Sequence, residues 1–431
     1  MTTDTDRTLL AERIRRAVSR REREIREFTA ALVAIPTENP PGRRYRECAQ
    51  LLAKKLRDLD LPAELLRVPG RTVPSDSKGR GARGEEGAEP RYCVLSSLGG
   101  GWRTLYFHGH YDVVPASTPK QFNPLVKNGV LAGRGSADMK SGLAAMIYAM
   151  AVLNELGVPL DGKIGLALVP DEETGGACGS RYLLESGRLG KDGIGMFTPE
   201  PTSGVIWNAC RGAISLRVTV RGKPAHVGLH YRGVNAFERA MEVAQGFAAL
   251  GRRVAKRRTR FPIAPAAARR SVLLLGGQVA GGTNFNAVPA ECSFTVDRRI
   301  NPEESLAREK RALLAVIERF RKRGFELDVR VFQEEPAAGF SSQEPVAQAF
   351  RESAREITGH SPGFEVCPGL LEIRFYAQRG VPAFAFGPGR LEVAHGPNEC
   401  VAMKNVYAFT AIYALAAARI LAPGEGARRA H

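Results

Sequence analysis

Thr104 to Pro115 reads TLYFHGHYDVVP, and its reading decides the fold. The first residues are apolar and aromatic, as in a buried strand, yet two of the chain's 7 histidines and an aspartate follow at once. On a strand of period two, His108, His110 and Asp112 point to one side. An imidazole facing a carboxylate two residues away permits two readings. The carboxylate can orient a histidine that ligates a metal, or the pair can be a buried hydrogen bond with no metal. Working outward, Met139 to Glu155 is a good apolar helix, and Lys163 to Val169 and Tyr92 to Leu98 read as strands. Strands alternating with helices predict a mostly parallel α/β sheet with helices on both faces.

The texture changes near Arg211. ISLRVTVRG alternates strictly, like a half-exposed antiparallel strand that could offer an edge to a twin. A helix follows over Asn235 to Leu250, then strands at Ser271 to Val279 and Glu291 to Asp297. A charged helix from Glu303 to Arg323 and a strand from Phe325 to Phe332 complete the order β-α-β-β-α-β. This predicts an inserted α+β unit of ferredoxin-like layout. The α/β texture returns with a helix at 345–357, a strand near 382–386 and a closing helix at 403–421. The expected organisation is a first part of the catalytic domain at 1–210, an insert at 211–337 and a second part at 338–431. Ahead of all this, helices are expected over 6–33 and from Tyr45 to Leu59. The Gly-, Pro- and charge-rich segment 68–92 reads as a loop.

Composition limits the function classes. Hydrophobic content of 44% with 25% charged residues suits a globular protein with a sizeable core. No window approaches the ~18 apolar residues of a membrane span, and the first residues have no apolar core of signal-peptide type, so a cytoplasmic protein is expected. The 7 cysteines are odd in number and form no CxxC pair, which argues against a disulfide framework or a zinc ribbon. The formal charge of +17 raises nucleic acid as a partner. The basic residues, however, alternate with acids on helices such as Arg20-Arg21-Glu22-Arg23, as solvated faces do, and no aromatic-basic interleaving accompanies them. No nucleic acid and no membrane are expected as partners.

Other acids bear on the chemistry. GRGSADMKSG sets Asp138 in a Gly-rich turn before the apolar helix, where it could serve a site or simply cap the helix. In VPDEETGG, Asp171, Glu172 and Glu173 follow an apolar strand. Three adjacent carboxylates repel one another unless cations offset them, or else form a solvated acidic turn. FTPEPTS offers Glu200, and EVAHGPNE offers His395. An oxygen- and nitrogen-rich set without cysteine suits zinc, cobalt or manganese in a hydrolytic site. HExxH is absent, so a single-zinc protease of that kind is not indicated.

HGHYDVVP, GRGSADMKSG, DEETGG, EPT and AHGPNE, in this order and spacing, resemble the di-zinc amidohydrolase and exopeptidase family. That family includes acetylornithine deacetylase, succinyl-diaminopimelate desuccinylase, aminoacylase and glutamate carboxypeptidase. The resemblance runs from Ile35-Pro36-Thr37-Glu38 past His395. It implies two Zn²⁺ ions per chain, with Co²⁺ or Mn²⁺ as alternatives. His110 and Glu200 would be ligands of the first, Glu173 and His395 of the second, with Asp138 bridging both. Asp112 would orient His110, Glu172 would be the general base, and His108 would be a packed neighbour. RGAISLRVTVRGKPAHVG resembles the start of the family's dimerisation, or lid, domain. His226 would then reach a partner subunit's site and stabilise the oxyanion. NFNAVP and VDRR match contacts to a substrate carboxylate, here Asn286 and Arg299. The late motif appears as GLLEIR, with Glu372 at the usual aspartate position and Arg374 as a further substrate contact. The family's tryptophan is missing from TPKQFNPLVKNG. The implied protein is a homodimeric hydrolase cleaving the amide bond of an N-acyl amino acid with a free carboxylate. A dipeptidase or carboxypeptidase is the alternative within enzymes. A non-catalytic metal-binding protein is the alternative outside them, and Glu172 argues against it because binding alone needs no base.

Overall fold

The computed structural model describes residues 4–69 and 89–423. The loop expected at 68–92 lies for the most part outside the described residues. The chain forms two compact units, one of 1–208, 340–364 and 375–431, the other of 209–339 and 365–374.

The first unit is built on a sheet whose centre is parallel. Thr104–His110 pairs in parallel with Gly162–Val169 on one side and Gly193–Thr198 on the other. Ala383–Ala385 extends the parallel run beyond Gly193–Thr198. Antiparallel strands flank this centre: Tyr92–Gly100 joins Gly162–Val169, Glu64–Arg67 lies outside it, and Trp207 pairs with Ala385 at the other side. Every residue of Thr104–His110 is buried, so both faces must be covered. Phe107 meets Tyr413 of helix Met403–Ile420 at 5.7 Å. The neighbouring Tyr106 and His108 face the other way. Tyr106 lies 5.3 Å from Tyr376, and His108 Nε2 lies 2.9 Å from Ser180 Oγ at the start of helix Ser180–Glu185.

Helix Lys140–Glu155 is buried from Lys140 to Leu153. A helix apolar all round belongs in a core, and this one packs against Met403–Ile420. Gly109 permits its close approach to the sheet, since a Cβ there would lie 2.5 Å from Leu143 Cδ2. The N-terminal helical run is broken at Arg21 into Asp4–Arg20 and Glu22–Val33. Its apolar spacing is continuous across the break, so periodicity alone does not reveal it.

The second unit carries the sheet order Val272–Gly281, Glu291–Ile300, Gly212–Arg221, Glu326–Glu335, antiparallel throughout. With helices Ala236–Val254 and Leu306–Arg321 this is the ferredoxin-like arrangement. Ile214, Leu216, Val218 and Val220 pack on Phe247 and Phe320 from those helices. Asn235 caps the first helix by accepting from the Phe237 and Glu238 N–H groups. One expectation is corrected here. The strand bearing ISLRVTV is central, paired on both sides, and cannot offer an edge. The edges are Val272–Gly281 and Glu326–Glu335. Strict alternation marks a sheet with one covered face, and central and edge strands share that pattern. Among the described residues no helix is long and apolar enough to cross a membrane.

Candidate metal centre

The parallel strands deliver their carboxyl ends to one place in the first unit. His110 closes Thr104–His110, Glu172 and Glu173 follow Gly162–Val169, and Glu200 follows Gly193–Thr198. Ligand sites in open α/β sheets form at such strand ends. Asp138 arrives from the turn before helix Lys140–Glu155, and His395 from the loop after Ala383–Ala385.

These residues meet in two clusters that share one member. His110, Asp138 and Glu200 bring ligand atoms within 4.8 Å of one another, and so do Asp138, Glu173 and His395. His110 Nε2 lies 3.3 Å from Asp138 Oδ1. His395 Nε2 lies 3.1 Å from Asp138 Oδ2 and 3.2 Å from Glu173 Oε1. The first cluster is buried, whereas the His395 side chain is 51% exposed and opens the second to solvent.

Asp138 Oδ1 and Glu173 Oε1 are buried without a hydrogen-bond donor in good geometry. Such oxygens carry a cost unless a cation faces them. Protons take up part of that role in the bare protein. Burial lowers the His110 pKa, but hydrogen bonding to Asp112 and Asp138 outweighs it and holds the imidazole well above its ordinary value. Asp138, and then Glu173, push His395 up to about 10. Burial raises the Asp138 carboxyl, yet His110 and His395 bring it below the usual range. Burial dominates at Glu173, which is raised despite His395. Two imidazoles held protonated among three carboxylates are positive charge standing where divalent cations fit. Nitrogen and oxygen donors suit zinc, cobalt or manganese, and each cluster could hold one such ion.

Asp112 has a wider task than orienting His110. The nearest acceptor to His110 Nδ1 is the Asp112 backbone carbonyl at 3.0 Å, with carboxylate Oδ1 at 3.4 Å. The carboxylate takes the Glu172 N–H on Oδ1 and the Glu173 N–H on Oδ2, each at 3.2 Å. It therefore anchors the turn Glu172–Thr174. Asn39 was not legible as part of this arrangement. Its Nδ2 donates to Asp112 Oδ2 at 2.8 Å and to Thr174 Oγ1 at 2.9 Å. The proximity of Thr37 and Glu38 to the start of the resemblance is the one signal pointing to it. His108, 0% exposed, lies between Ser180 and Tyr376 and is a packed neighbour of the site.

His226, Asn286, Arg299 and Arg374 lie in the second unit. His226 and Asn286 come together there: Ala225–His226 pairs with Ala287–Val288, and the Val227 N–H donates to the Asn286 carbonyl at 3.0 Å. His226 is exposed, and its Nδ1 accepts from the Gly228 N–H at 3.1 Å. Arg299 is partly exposed and pairs with Asp297 at 2.9 Å. Arg374 is a correction. The resemblance implies a substrate contact, but the guanidinium is 1% exposed, 3.1 Å from Glu335 Oε2, and donates to the Leu371 carbonyl at 2.8 Å. It ties the second unit together internally. Glu372, also within this unit, is fully buried.

Residues 106–419 match the sequence pattern of peptidase family M20/M25/M40. The chain is 25% identical over 429 residues to N-formyl-4-amino-5-aminomethyl-2-methylpyrimidine deformylase of Halalkalibacterium halodurans, covering 91% of this chain and 93% of that protein. It is 28% identical over 406 residues to succinyl-diaminopimelate desuccinylase of Alkalilimnicola ehrlichii, covering 90% and 97%. An M20 family metallo-carboxypeptidase from Sulfolobus solfataricus shares the fold with a TM-score of 0.72, at 17% identity over 92% of this chain and 98% of that one. The chain belongs to peptidase family M20/M25/M40 and is a hydrolase acting on carbon–nitrogen bonds.

Proposed function

We propose that the protein is a deacylase that hydrolyses the amide bond of an N-acyl amino acid, with two divalent cations held by the paired clusters. The observation that carries this reading is the sharing of Asp138 between two sets of His and carboxylate donors. In this reading His110 and Glu200 hold one ion, Glu173 and His395 the other, and Asp138 both. The names of the deformylase and desuccinylase relatives favour removal of a small acyl group over cleavage between amino acids. Divalent ions held by these residues would supply Lewis acidity, lowering the pKa of water and polarising the amide carbonyl. Glu172 adjoins the ligand Glu173 and its charge is felt at His110. It accepts the proton given up by the attacking water and passes it to the departing amine. Asp112 keeps the Glu172–Glu173 turn fixed while the proton moves.

The roles of His226 at the oxyanion and of Asn286 and Arg299 at a substrate carboxylate rest on the resemblance of KPAH, NFNAVP and VDRR. A guanidinium suits a carboxylate through paired hydrogen bonds. The protein acts as a homodimer through its second unit, for which the edge strand Val272–Gly281 is suited: Leu274 is 58% and Val279 64% exposed. An exposed apolar edge pairs readily with its twin about a two-fold axis.

The test is a hydrolysis screen of zinc-, cobalt- and manganese-loaded protein on N-acetyl, N-succinyl and N-formyl amino acids alongside dipeptides. Turnover of at least one N-acyl amino acid above all dipeptides is expected. Activity confined to dipeptides would replace the deacylase reading with a dipeptidase.

A further inference from the structure

Two charged side chains far apart in sequence meet beneath the second cluster. Arg134 and Glu399 are each 1% exposed, and Nη1 lies 2.5 Å from Oε2. The other carboxylate oxygen, Oε1, accepts the N–H groups of Gly135, Ala137 and Asp138, each at 3.0 Å. The Glu399 carbonyl takes the Gly133 N–H at 3.0 Å. The second arm of the guanidinium, Nη2, donates to the His395 carbonyl at 3.0 Å. A single ion pair thus holds the backbone of Asp138 on one side and of His395 on the other.

We propose that the Arg134–Glu399 pair is a positioning clamp that sets the geometry of the Asp138–Glu173–His395 cluster, an inference that rests on the two-cation reading above. Neither side chain is a ligand candidate, for both are enclosed and spent on each other and on the backbone. The clamp acts through the residues it grips. His395 stands at φ 61, a left-handed conformation that a non-glycine residue keeps only where its surroundings fix it. The Arg134 contact to its carbonyl is one such constraint. The imidazole of His395 is half-exposed, so its backbone carries part of the precision. Asp138 is fixed in the same way from its own N–H. The remaining member, Glu173, is held separately by Asp112. The clamp grips two members of the second cluster, Asp138 and His395, and of the first the shared Asp138. Loss of the clamp should therefore weaken the second cluster more than the first.

The experiment is a cobalt titration of metal-free protein, followed by calorimetry and by the visible absorption of bound Co²⁺, with circular dichroism recording the fold. The wild type should take up two ions, and His395→Ala identifies which step belongs to the second cluster. Glu399→Gln keeps a carbonyl oxygen for the three N–H groups but removes the charge facing Arg134. It should weaken that same step by ~10–100-fold, the scale on which partners behind the ligands act, with a smaller change in the other step. If Glu399→Gln does not fold, Arg134→Met combined with Glu399→Gln removes the unpaired charge. This double variant should show the same weakened step, because His395 then loses the guanidinium at its carbonyl. A folded variant with both steps unchanged overturns the inference, as does equal weakening of both, the mark of a purely structural pair. A wild type that takes up only one ion, indifferent to His395→Ala, defeats the two-cation reading itself and the inference with it.

Discussion

Asp112→Asn is the perturbation that the geometry constrains most tightly. Asp112 is 0% exposed, and its two oxygens face donors only: the Glu172 N–H on Oδ1, and the Glu173 N–H and the Asn39 amide on Oδ2. Asparagine has the same shape but must put an NH₂ where one oxygen was. At the Oδ2 position the NH₂ would oppose two donors. At the Oδ1 position it opposes the Glu172 N–H and stands 3.4 Å from His110 Nδ1, whose hydrogen the Asp112 carbonyl can take at 3.0 Å; this orientation is preferred, and the Glu172 N–H is left facing another donor. An unsatisfied N–H in a partly buried site costs about 1–3 kcal/mol, and two bonds to a neutral rather than charged acceptor lose about 1 kcal/mol each. Relief of repulsion among the neighbouring carboxylates offsets part of this in metal-free protein. The net expectation is a loss of about 2–4 kcal/mol, read from the denaturation midpoint of the metal-free protein at pH 7. Asp112→Ala strands every donor and should cost more. The same variants should bind metal ~10–100-fold more weakly, because the turn bearing Glu173 is no longer anchored. If Asp112→Asn leaves stability within about 0.5 kcal/mol of the wild type with its metal affinity intact, the anchoring argument is wrong.

Glu172→Gln should lower turnover by ~10²–10⁴-fold with both metals retained, whereas Glu173→Gln should lose metal first; elemental analysis beside kinetics separates the two, and near-normal turnover of Glu172→Gln would remove it as the base. Gly142→Ala places a Cβ 2.3 Å from Pro199 Cβ, next to Glu200, and should cost about 1–3 kcal/mol in melting experiments together with affinity at the first cluster. In the metal-free protein His395 titrates at about 10 rather than 6.5. Its folded pKa is raised, so the stability it contributes is complete below about 6.5 and fades as pH rises through 10; denaturation of metal-free protein at pH 7 and pH 10 should show the decline. Metal uptake at pH 7 must also expel protons from the two histidines, and calorimetry in buffers of different ionisation enthalpy should register their release, with a buffer-independent heat counting against the protonated cage.

The architecture was legible because hydrophobic periodicity reports burial, and burial follows the layers. Thr104–His110 and Lys140–Glu155 are covered on all sides and read as continuous apolar runs. The second unit covers one face of its sheet and reads as alternation. Periodicity says nothing about a strand's neighbours, which is why ISLRVTV gave no sign of its central place. The residues His110, Asp138, Glu173, Glu200 and His395 were legible for a different reason. Each taken alone could be a helix cap, an acidic turn or a buried pair, and it is the order and spacing of their motifs, matched to a known pattern, that singled them out as candidates.

Asn39, Arg134 and Glu399 carry no comparable mark. Each works on backbone groups or on another side chain that only the folded chain brings near: Asn39 bonds Asp112 across 73 residues, and Arg134 meets Glu399 across 265. A carboxylate such as Glu399, serving three N–H groups of a distant turn, has the same local sequence texture as one facing solvent. Arg374 shows the converse error. Its place in GLLEIR points toward a ligand, but a motif fixes position along the chain and not the direction of the side chain, and Glu335 claims the guanidinium instead. Buried motif carboxylates whose oxygens converge without a well-aligned hydrogen bond, as at Asp138 Oδ1 and Glu173 Oε1, are left for the chemistry.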